Sequence, residues 1–255
     1  MNISFKNKTI VVSGGTKGVG KDVVLKASKL GANVVFGGRD VDAALSIINR
    51  TSENSGKVTF IKADVTSEDE CKNLFTKAFE EHSRIDGFLN YTGVTDAAPL
   101  LELNSTHIDK IFSINVQAAI LCSKFAVNNM IKTNGGSIVH IGSPHAWIGD
   151  YDRVAYACSK ASILTLSDHI AKHYAKYNIR SNVVTMGWTP TEGELSLRES
   201  QGISEEELKT KAAEVLPTGK MTEVEDITYS ILFLLSDNSK MVSGSNFRVT
   251  GGWFL

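Results

Sequence analysis

The chain has 255 residues, 42% of them hydrophobic and 22% charged, with a formal net charge of −1. That length suits one α/β domain with a large core. Near-neutral charge removes the bulk field that draws proteins to nucleic acid or anionic membranes, so a small-molecule task is expected. The scattered cysteines, Cys71, Cys122 and Cys158, show neither metal-ligand spacing nor a disulfide framework. No metal site is expected, and a reducing cytoplasm is the natural compartment. A glycine turn begins at Gly14, directly after a β-like run, so no signal peptide is expected. No apolar run approaches the roughly 18 residues of a membrane span. Asn104-Ser105-Thr106 reads as a glycosylation sequon, idle in the cytoplasm.

Short apolar runs alternate with longer amphipathic ones. Strands are expected at 9–13, 33–37, 58–62, 87–90, 137–141, 180–184 and 247–249. Several are nearly all apolar, as strands covered on both faces should be. Helices are expected between them at 18–29, 42–51, 68–82, 106–132, 154–176 and 223–236. The alternation predicts one α/β domain over 1–255, a doubly wound parallel sheet of about seven strands. No linker or internal repeat interrupts it.

The first segment that carries chemistry is Val11-Val12-Ser13-Gly14-Gly15-Thr16-Lys17-Gly18-Val19-Gly20, a strand running into a glycine turn that opens a helix. Glycines let backbone approach a pyrophosphate, and free N–H groups at a helix start attract its charge. Gly14, Thr16, Lys17, Gly18, Val19 and Gly20 are therefore candidate dinucleotide contacts. A P-loop overlaps the same stretch but fails, because Asp22 stands where the Mg²⁺-binding Ser or Thr is needed.

The second strand bears on the choice of dinucleotide. An NAD site usually ends this strand with an acid that bonds the ribose 2′-hydroxyl. Here Gly38 takes that place, which is expected to leave room for a 2′-phosphate. Arg39 beside it and Lys17 in the turn can grip such a phosphate. NADP(H) is thus expected over NAD(H), unless both cations are simply solvated and Asp40 turns in to the ribose.

Tyr156 and Lys160 lie four apart on the helix at 154–176, hence on one face. An ammonium beside a phenol favours the phenolate and brings its pKa down from about 10. General acid/base work on a carbonyl needs that. Ser143 falls just past a strand end, where ligands of open α/β sheets sit. The same helix carries two apolar stripes. Ile163, Leu166, Ile170 and Tyr174 lie on one face; Ala157, Ala161, Leu164, Ala171 and Ala175 lie on another. The second stripe is either buried within the subunit or a subunit interface.

These motifs together resemble the short-chain dehydrogenase/reductase family, of the roughly 250-residue type with a Tyr-x-x-x-Lys motif. Ser13 to Gly20 is similar to its Thr-Gly-x-x-x-Gly-x-Gly loop, with Ser for Thr. Asp64-Val65 resembles its adenine-contacting pair, and Ile114-Asn115-Val116 the segment that bears its catalytic Asn. Pro217-x-Gly219-Lys220 and Val249-Thr250-Gly251-Gly252 echo its carboxyl-terminal landmarks. The resemblance implies a Rossmann-type fold and a catalytic set of Asn115, Ser143, Tyr156 and Lys160. Tyr156 would exchange the substrate proton and Ser143 polarise the carbonyl. Lys160 would hold the nicotinamide ribose and lower the Tyr156 pKa, and Asn115 would position a relay water. Asp64, Val65, Asn90 and Gly93 on the adenine side, with Thr189 and Thr191 on the nicotinamide side, complete the implied cofactor set. Thr191 would bond the carboxamide.

The chain departs from the family at Asn90-Tyr91-Thr92-Gly93, usually Asn-Asn-Ala-Gly, where the bulk of Tyr91 puts the adenine-side contacts in doubt. Met186-Gly187 replaces Pro-Gly, and Thr250 replaces an Asp. None of these removes a catalytic group.

Substrate specificity is expected around Thr95-Asp96, after Ser143, and in a polar, lid-like run at 188–215. His145 is a candidate hydrogen-bond partner and Trp188 a candidate stacking face, which would suit a sugar or polyol. The alternatives are a ketoacyl thioester, docked through Lys132, Lys172 and Lys176, and a dinucleotide sensor without turnover. The resemblance also implies a homotetramer built on the helices at 106–132 and 154–176.

Overall fold

The computed structural model describes residues 2–52 and 55–253. Its strands are β1 (Thr9–Ser13), β2 (Asn33–Gly38), β3 (Val58–Lys62), β4 (Gly87–Asn90), β5 (Gly136–Gly142), β6 (Ile179–Met186) and β7 (Asn246–Val249). They form one sheet in the order β3-β2-β1-β4-β5-β6-β7, and every pairing is parallel. The doubly wound sheet expected from the apolar runs is the observed one. Its edges grow by only a residue or two, as sheet hydrogen bonding extends past the apolar stretch.

The helices are α1 (Gly18–Lys29), α2 (Val41–Ile48), α3 (Glu68–His82), α4 (Ser105–Phe112), α5 (Ala118–Lys132), α6 (Val154–His173), α7 (Glu192–Ser200), α8 (Glu205–Val215) and α9 (Val224–Leu235). Strand side chains alternate between two cores, as a period of two requires. Ile10, Val12, Val34, Phe36, Leu89 and Val139 pack on the face that carries α1 and α9. Val11, Val35, Phe88 and Ile138 pack on the opposite face against α3 and α5. The first stripe of α6 follows the expectation: Ile163 and Ile170 are buried, with Leu166 and Tyr174 beside them.

Three expectations need correction. The helix at 106–132 is not uniform, because a π turn over Ser113–Gln117 separates α4 from α5. Such a bulge admits an extra residue into the helical ladder, and functional sites use it often. Within the continuous helical stretch Ser105–Lys132, an 18-residue part reaches a mean hydropathy of 1.3, enough to cross a membrane by length and composition, although no apolar run of that length was expected. Here Ala118, Cys122, Ala126 and Met130 of that stretch are buried against the sheet, which makes it a core helix. Finally, the polar run at 188–215 contains two helices. Thr191 and Ser204 cap them, Ser204 in a capping box with Glu207. Leu208 and Ala212 anchor α8.

One buried polar network crosses the sheet beneath the strand ends. The Ser13 hydroxyl donates to Asn90 Oδ1 at 3.1 Å, and Asn90 Nδ2 lies 3.3 Å from Nδ1 of the fully buried His140. It joins β1, β4 and β5 side by side. Burial, and then the nearby Lys160 charge, lower the His140 pKa to about 3. The unfolded imidazole protonates near 6.5, so between these values the unfolded state binds more protons and stability rises with pH. The contribution is complete above about 6.5 and is lost as pH falls through the window. His82 and His145, also lowered by burial, act in the same sense. Urea unfolding of the wild type is expected to lose about 2 kcal/mol between pH 7 and pH 5 through His140 alone. His140→Gln should flatten the slope by that share. An unchanged slope would place the proton uptake elsewhere.

Candidate active site

β1 and β4 are neighbours, yet β2 lies on one side of the pair and β5 on the other. The chains leaving them diverge and open a crevice at their carboxyl ends, the usual ligand position in such sheets. Gly14 (φ 75°) and Gly18 (φ 54°) turn the chain from β1 into α1. A Cβ on Gly20 would lie 2.4 Å from the Gly14 carbonyl oxygen and 2.8 Å from the Tyr91 ring. The loop is therefore closed to side chains, as backbone recognition of a phosphate requires.

No side chain of the loop caps α1: Lys17 is its N-cap, and its first turn holds no acid. Partners come from elsewhere in the chain. Val19 N–H donates to Tyr91 Oη at 3.3 Å and Gly18 N–H to Glu192 Oε2 at 3.4 Å. The other Glu192 oxygen accepts from the Lys21 ammonium. Lys21, the Gly18 N–H and Lys17 hold the Glu192 carboxyl below its ordinary range. A carboxylate thus stands at the positive end of the helix, and the cradle has the chemistry to bind a pyrophosphate. Tyr91, which put this region in doubt, packs into the core and caps α1.

On the adenine side, Arg39 Nη1 lies 3.9 Å from Asp64 Oδ2, and Lys17 Nζ 3.4 Å from Asp40 Oδ2. Asp40 is the N-cap of α2, accepting from Ala43 N–H at 3.0 Å, so it does not turn in toward a ribose. A Cβ on Gly38 would lie 2.8 Å from the Thr16 methyl, so this position is closed to a side chain. Asp64 accepts from the Thr66 N–H and hydroxyl, which lower its pKa. Val65 is buried, and its carbonyl accepts from the Cys71 thiol at 3.0 Å. Asn90 belongs to the network beneath the site rather than to the crevice surface.

The four implied catalytic residues come together. Ser143 follows β5, and its hydroxyl accepts from His145 N–H at 3.3 Å. Lys160 is buried, with its ammonium donating to the Ile141 carbonyl at 2.9 Å and standing 5.8 Å from the Tyr156 ring centroid. Gly93 lies beside this pair, and a Cβ there would sit at ordinary contact distance, 3.5 Å, from Lys160 Nζ. Asn115 sits in the π turn. Its Oδ1 accepts from Val94 N–H at 2.8 Å, and its amide donates to Val94 O at 2.9 Å and Ser159 Oγ at 3.0 Å. Both amide hydrogens are thereby used to clamp the loop after β4 onto α6.

The electrostatics correct one expectation. Burial raises the Tyr156 pKa above its ordinary value; a Ser143 hydrogen bond and the Arg153 charge oppose the rise. The expected lowering by Lys160 is not what governs the phenol here, because that ammonium is turned to Ile141 and is itself lowered to about 8 by burial.

The substrate-side candidates differ from one another. His145 stands edge-on to Tyr156, with centroids 5.8 Å apart, and its Nε2 is 3.8 Å from Asp150 Oδ2. Trp188 is not a free stacking face. Its Nε1 donates to Glu194 at 2.7 Å, Arg198 lies 5.6 Å over its ring, and Trp253 stacks on it at 6.1 Å. Thr191 caps α7 by accepting from Glu194 N–H, and buried Thr189 donates to the Gly187 carbonyl.

Trp253 and Arg153 went unassigned in the sequence, and Glu192, expected among the acids of the substrate side, instead meets the glycine turn. Trp253 lies 6.5 Å from His145, carried there by Gly251 (φ 61°) and Gly252 (φ 84°). That glycine pair was the available signal. Arg153 had its spacing, three residues before Tyr156 at the start of the same helix, an offset that makes side chains neighbours.

A family model described as enoyl-(acyl carrier protein) reductase matches residues 14–254. An uncharacterized oxidoreductase of Thermotoga maritima is 30% identical, with 98% of each chain covered. The 3-oxoacyl-[acyl-carrier-protein] reductase FabG of Chlamydia pneumoniae is 27% identical over 99% of both chains. The L-xylulose reductase of Caenorhabditis elegans is 29% identical, covering 99% of this chain and 98% of that one. A short-chain type dehydrogenase/reductase from Mycobacterium ulcerans superposes with a TM-score of 0.91 at 27% identity, over 98% of this chain and 90% of that one. The chain belongs to the short-chain dehydrogenase/reductase family. It is an NAD(P)(H)-dependent oxidoreductase that acts on alcohol and carbonyl groups, which sets aside the sensor without turnover.

The crowding at Gly20 makes a direct prediction. Gly20→Ala must move the Gly14 carbonyl, so it should lower Tm and remove measurable dinucleotide binding. Retained affinity in calorimetric titration would show that the turn yields without harm.

Proposed function

We propose that this protein is an NADP(H)-dependent carbonyl reductase and alcohol dehydrogenase whose substrate is a sugar- or polyol-like molecule. The observation that carries the catalytic part is the convergence of Ser143, Tyr156 and Lys160 beside the α1 cradle. When bound, the nicotinamide supplies or accepts the hydride. Ser143 orients the substrate carbonyl with its hydroxyl. Tyr156, whose raised pKa keeps it protonated at neutral pH, gives its phenolic proton to the carbonyl oxygen in reduction and recovers it in oxidation. Lys160 holds the nicotinamide ribose, and Asn115 fixes the loop against which it lies. Gly14, Gly18, Val19 and Gly20 approach the pyrophosphate, with Thr189 and Thr191 near the nicotinamide.

Lys17 and Arg39 support the NADP(H) preference. Both side chains are more than half exposed, at 62% and 74%, and their carboxylate partners are exposed pairs that cost little to break. Asp40, the one acid adjacent to the second strand's end, is engaged as a helix cap. The polyol reading is supported by the polar and aromatic mouth of His145, Asp150 and Trp253, and by the relative named for L-xylulose. Trp253, stacked on Trp188 and edge-on to His145, forms the aromatic wall of that mouth. The family description and the FabG relative favour a carrier-protein thioester as the second reading. Residues 188–215 act as the substrate lid. An open groove on α4 and α5, lined by Phe112, Val116, Ile120 and Leu121, supports a homotetramer.

Two experiments test these readings. A panel of sugars, polyols and ketoacyl thioesters, followed by nicotinamide absorbance, should show turnover chiefly of polyhydroxylated substrates, and Tyr156→Phe should abolish it with dinucleotide affinity retained. Turnover only of thioesters would replace the substrate class, and substantial activity in Tyr156→Phe would remove the proton assignment. For the cofactor, kcat/KM should favour NADPH over NADH, and Arg39→Ala should cut that ratio about tenfold. The preference should weaken in high salt, since exposed charges are screened. Equal efficiency with NADH would overturn it.

A further inference from the structure

Helices α1 and α7 begin almost in contact. Thr191, the N-cap of α7, places its methyl 3.3 Å from where a Cβ on Gly18 would stand. Two helix N-termini facing each other bring like partial charges together. Lys17 and Lys21 add full positive charges to the same place. Asp40 pairs with Lys17, and Glu192, at the first position of α7, reaches across 174 residues of sequence to the Gly18 N–H and to Lys21. Glu192 is not needed to cap its own helix, because Thr191 does so. Beside it, Tyr91 Oη takes the Val19 N–H. The two N–H groups at the start of α1 are thus both engaged by side chains, at the point where a dinucleotide would bring its pyrophosphate.

We propose that Glu192, aided by Tyr91, is a built-in competitor for the cofactor pyrophosphate, so that cofactor affinity is set by displacing a side chain of α7 from the α1 cradle. The inference rests on the dinucleotide reading of the crevice. Binding is an exchange of anions. The pyrophosphate takes the Gly18 and Val19 N–H groups and the Lys21 ammonium, and Glu192 leaves to solvent. Glu192 is suited to leaving: its side chain is 52% exposed, so its pairing with Lys21 is one that water and salt weaken.

The sign of a mutational effect separates this role from a structural one. A residue that merely anchors α7 would, when lost, loosen the site and weaken binding. A competitor, when lost, tightens it. NADPH titration by nicotinamide fluorescence should give Glu192→Gln a Kd about tenfold below wild type, and Tyr91→Phe one about threefold below. Lys21→Gln should raise Kd about tenfold, and Glu192→Asp, which keeps the charge, should fall between Glu192→Gln and wild type. Glu192→Ala must share the sign of Glu192→Gln, which guards against an effect peculiar to glutamine. Stopped-flow release of NADPH should slow in both. A Kd for Glu192→Gln that is unchanged or weaker, while the wild type binds NADPH, overturns the competitor alone. Failure of the wild type to bind either dinucleotide at millimolar concentration overturns the dinucleotide reading itself, and the competitor with it.

Discussion

Everything functional in this molecule depends on the reversal of strand order between β1 and β4. The two strands pair in parallel, but α1 leaves β1 for one face while α5 packs on the other. Among the described residues, the chains leaving the pair diverge from its carboxyl ends, so backbone turns and helix starts meet there. Parallel strands all point their carboxyl ends the same way. The loops after β1, β2, β3, β4, β5 and β6 therefore gather on one edge and bring Gly14, Arg39, Asp64, Gly93, Ser143 and Thr189 to it from across the sheet.

The two ends of that edge are ruled by different electrostatics. Around Tyr156, desolvation dominates: it raises the phenol and lowers Lys160 to about 8, while His140 beneath falls to about 3. At the cradle and the adenine side the cations are exposed and paired with carboxylates that exchange readily, as with Lys17 and Asp40 or Arg39 and Asp64. Such a division suits its tasks. A proton must move between groups of set pKa, whereas a dinucleotide must arrive and leave.

The substrate side is assembled from two segments far apart in sequence. Trp188, Glu194 and Arg198 form a locked set on the β6–α7 connection. Trp253 closes onto that set because two successive glycines turn the chain left-handed after β7, a conformation that costs other residues steric strain. The aromatic path from Trp188 through Trp253 and His145 to Tyr156 makes the shape of the mouth depend on α7 as much as on the catalytic helix.

The sequence by itself determined the sheet, the helix faces and the positions of the reacting groups. Strands buried on both faces must be apolar throughout, so runs such as Ile10-Val11-Val12 and Val34-Val35-Phe36 are hard to mistake. Tyr156 and Lys160 share a helix face by periodicity alone, and the glycine turn announces a backbone site. Helices α7 and α8 escaped because they bury little: Leu208 and Ala212 make too thin a stripe to show against a polar background, although Ser204 and Glu207 held the capping signature. Only the tertiary structure decided the direction of the Tyr156 pKa, because burial and the reach of Lys160 to Ile141 are properties of the packed fold. It alone also decided that Trp188 is engaged rather than free, and that Glu192 meets Gly18. No local pattern encodes a contact between residues that far apart, since it exists only once the sheet has brought two helix starts together.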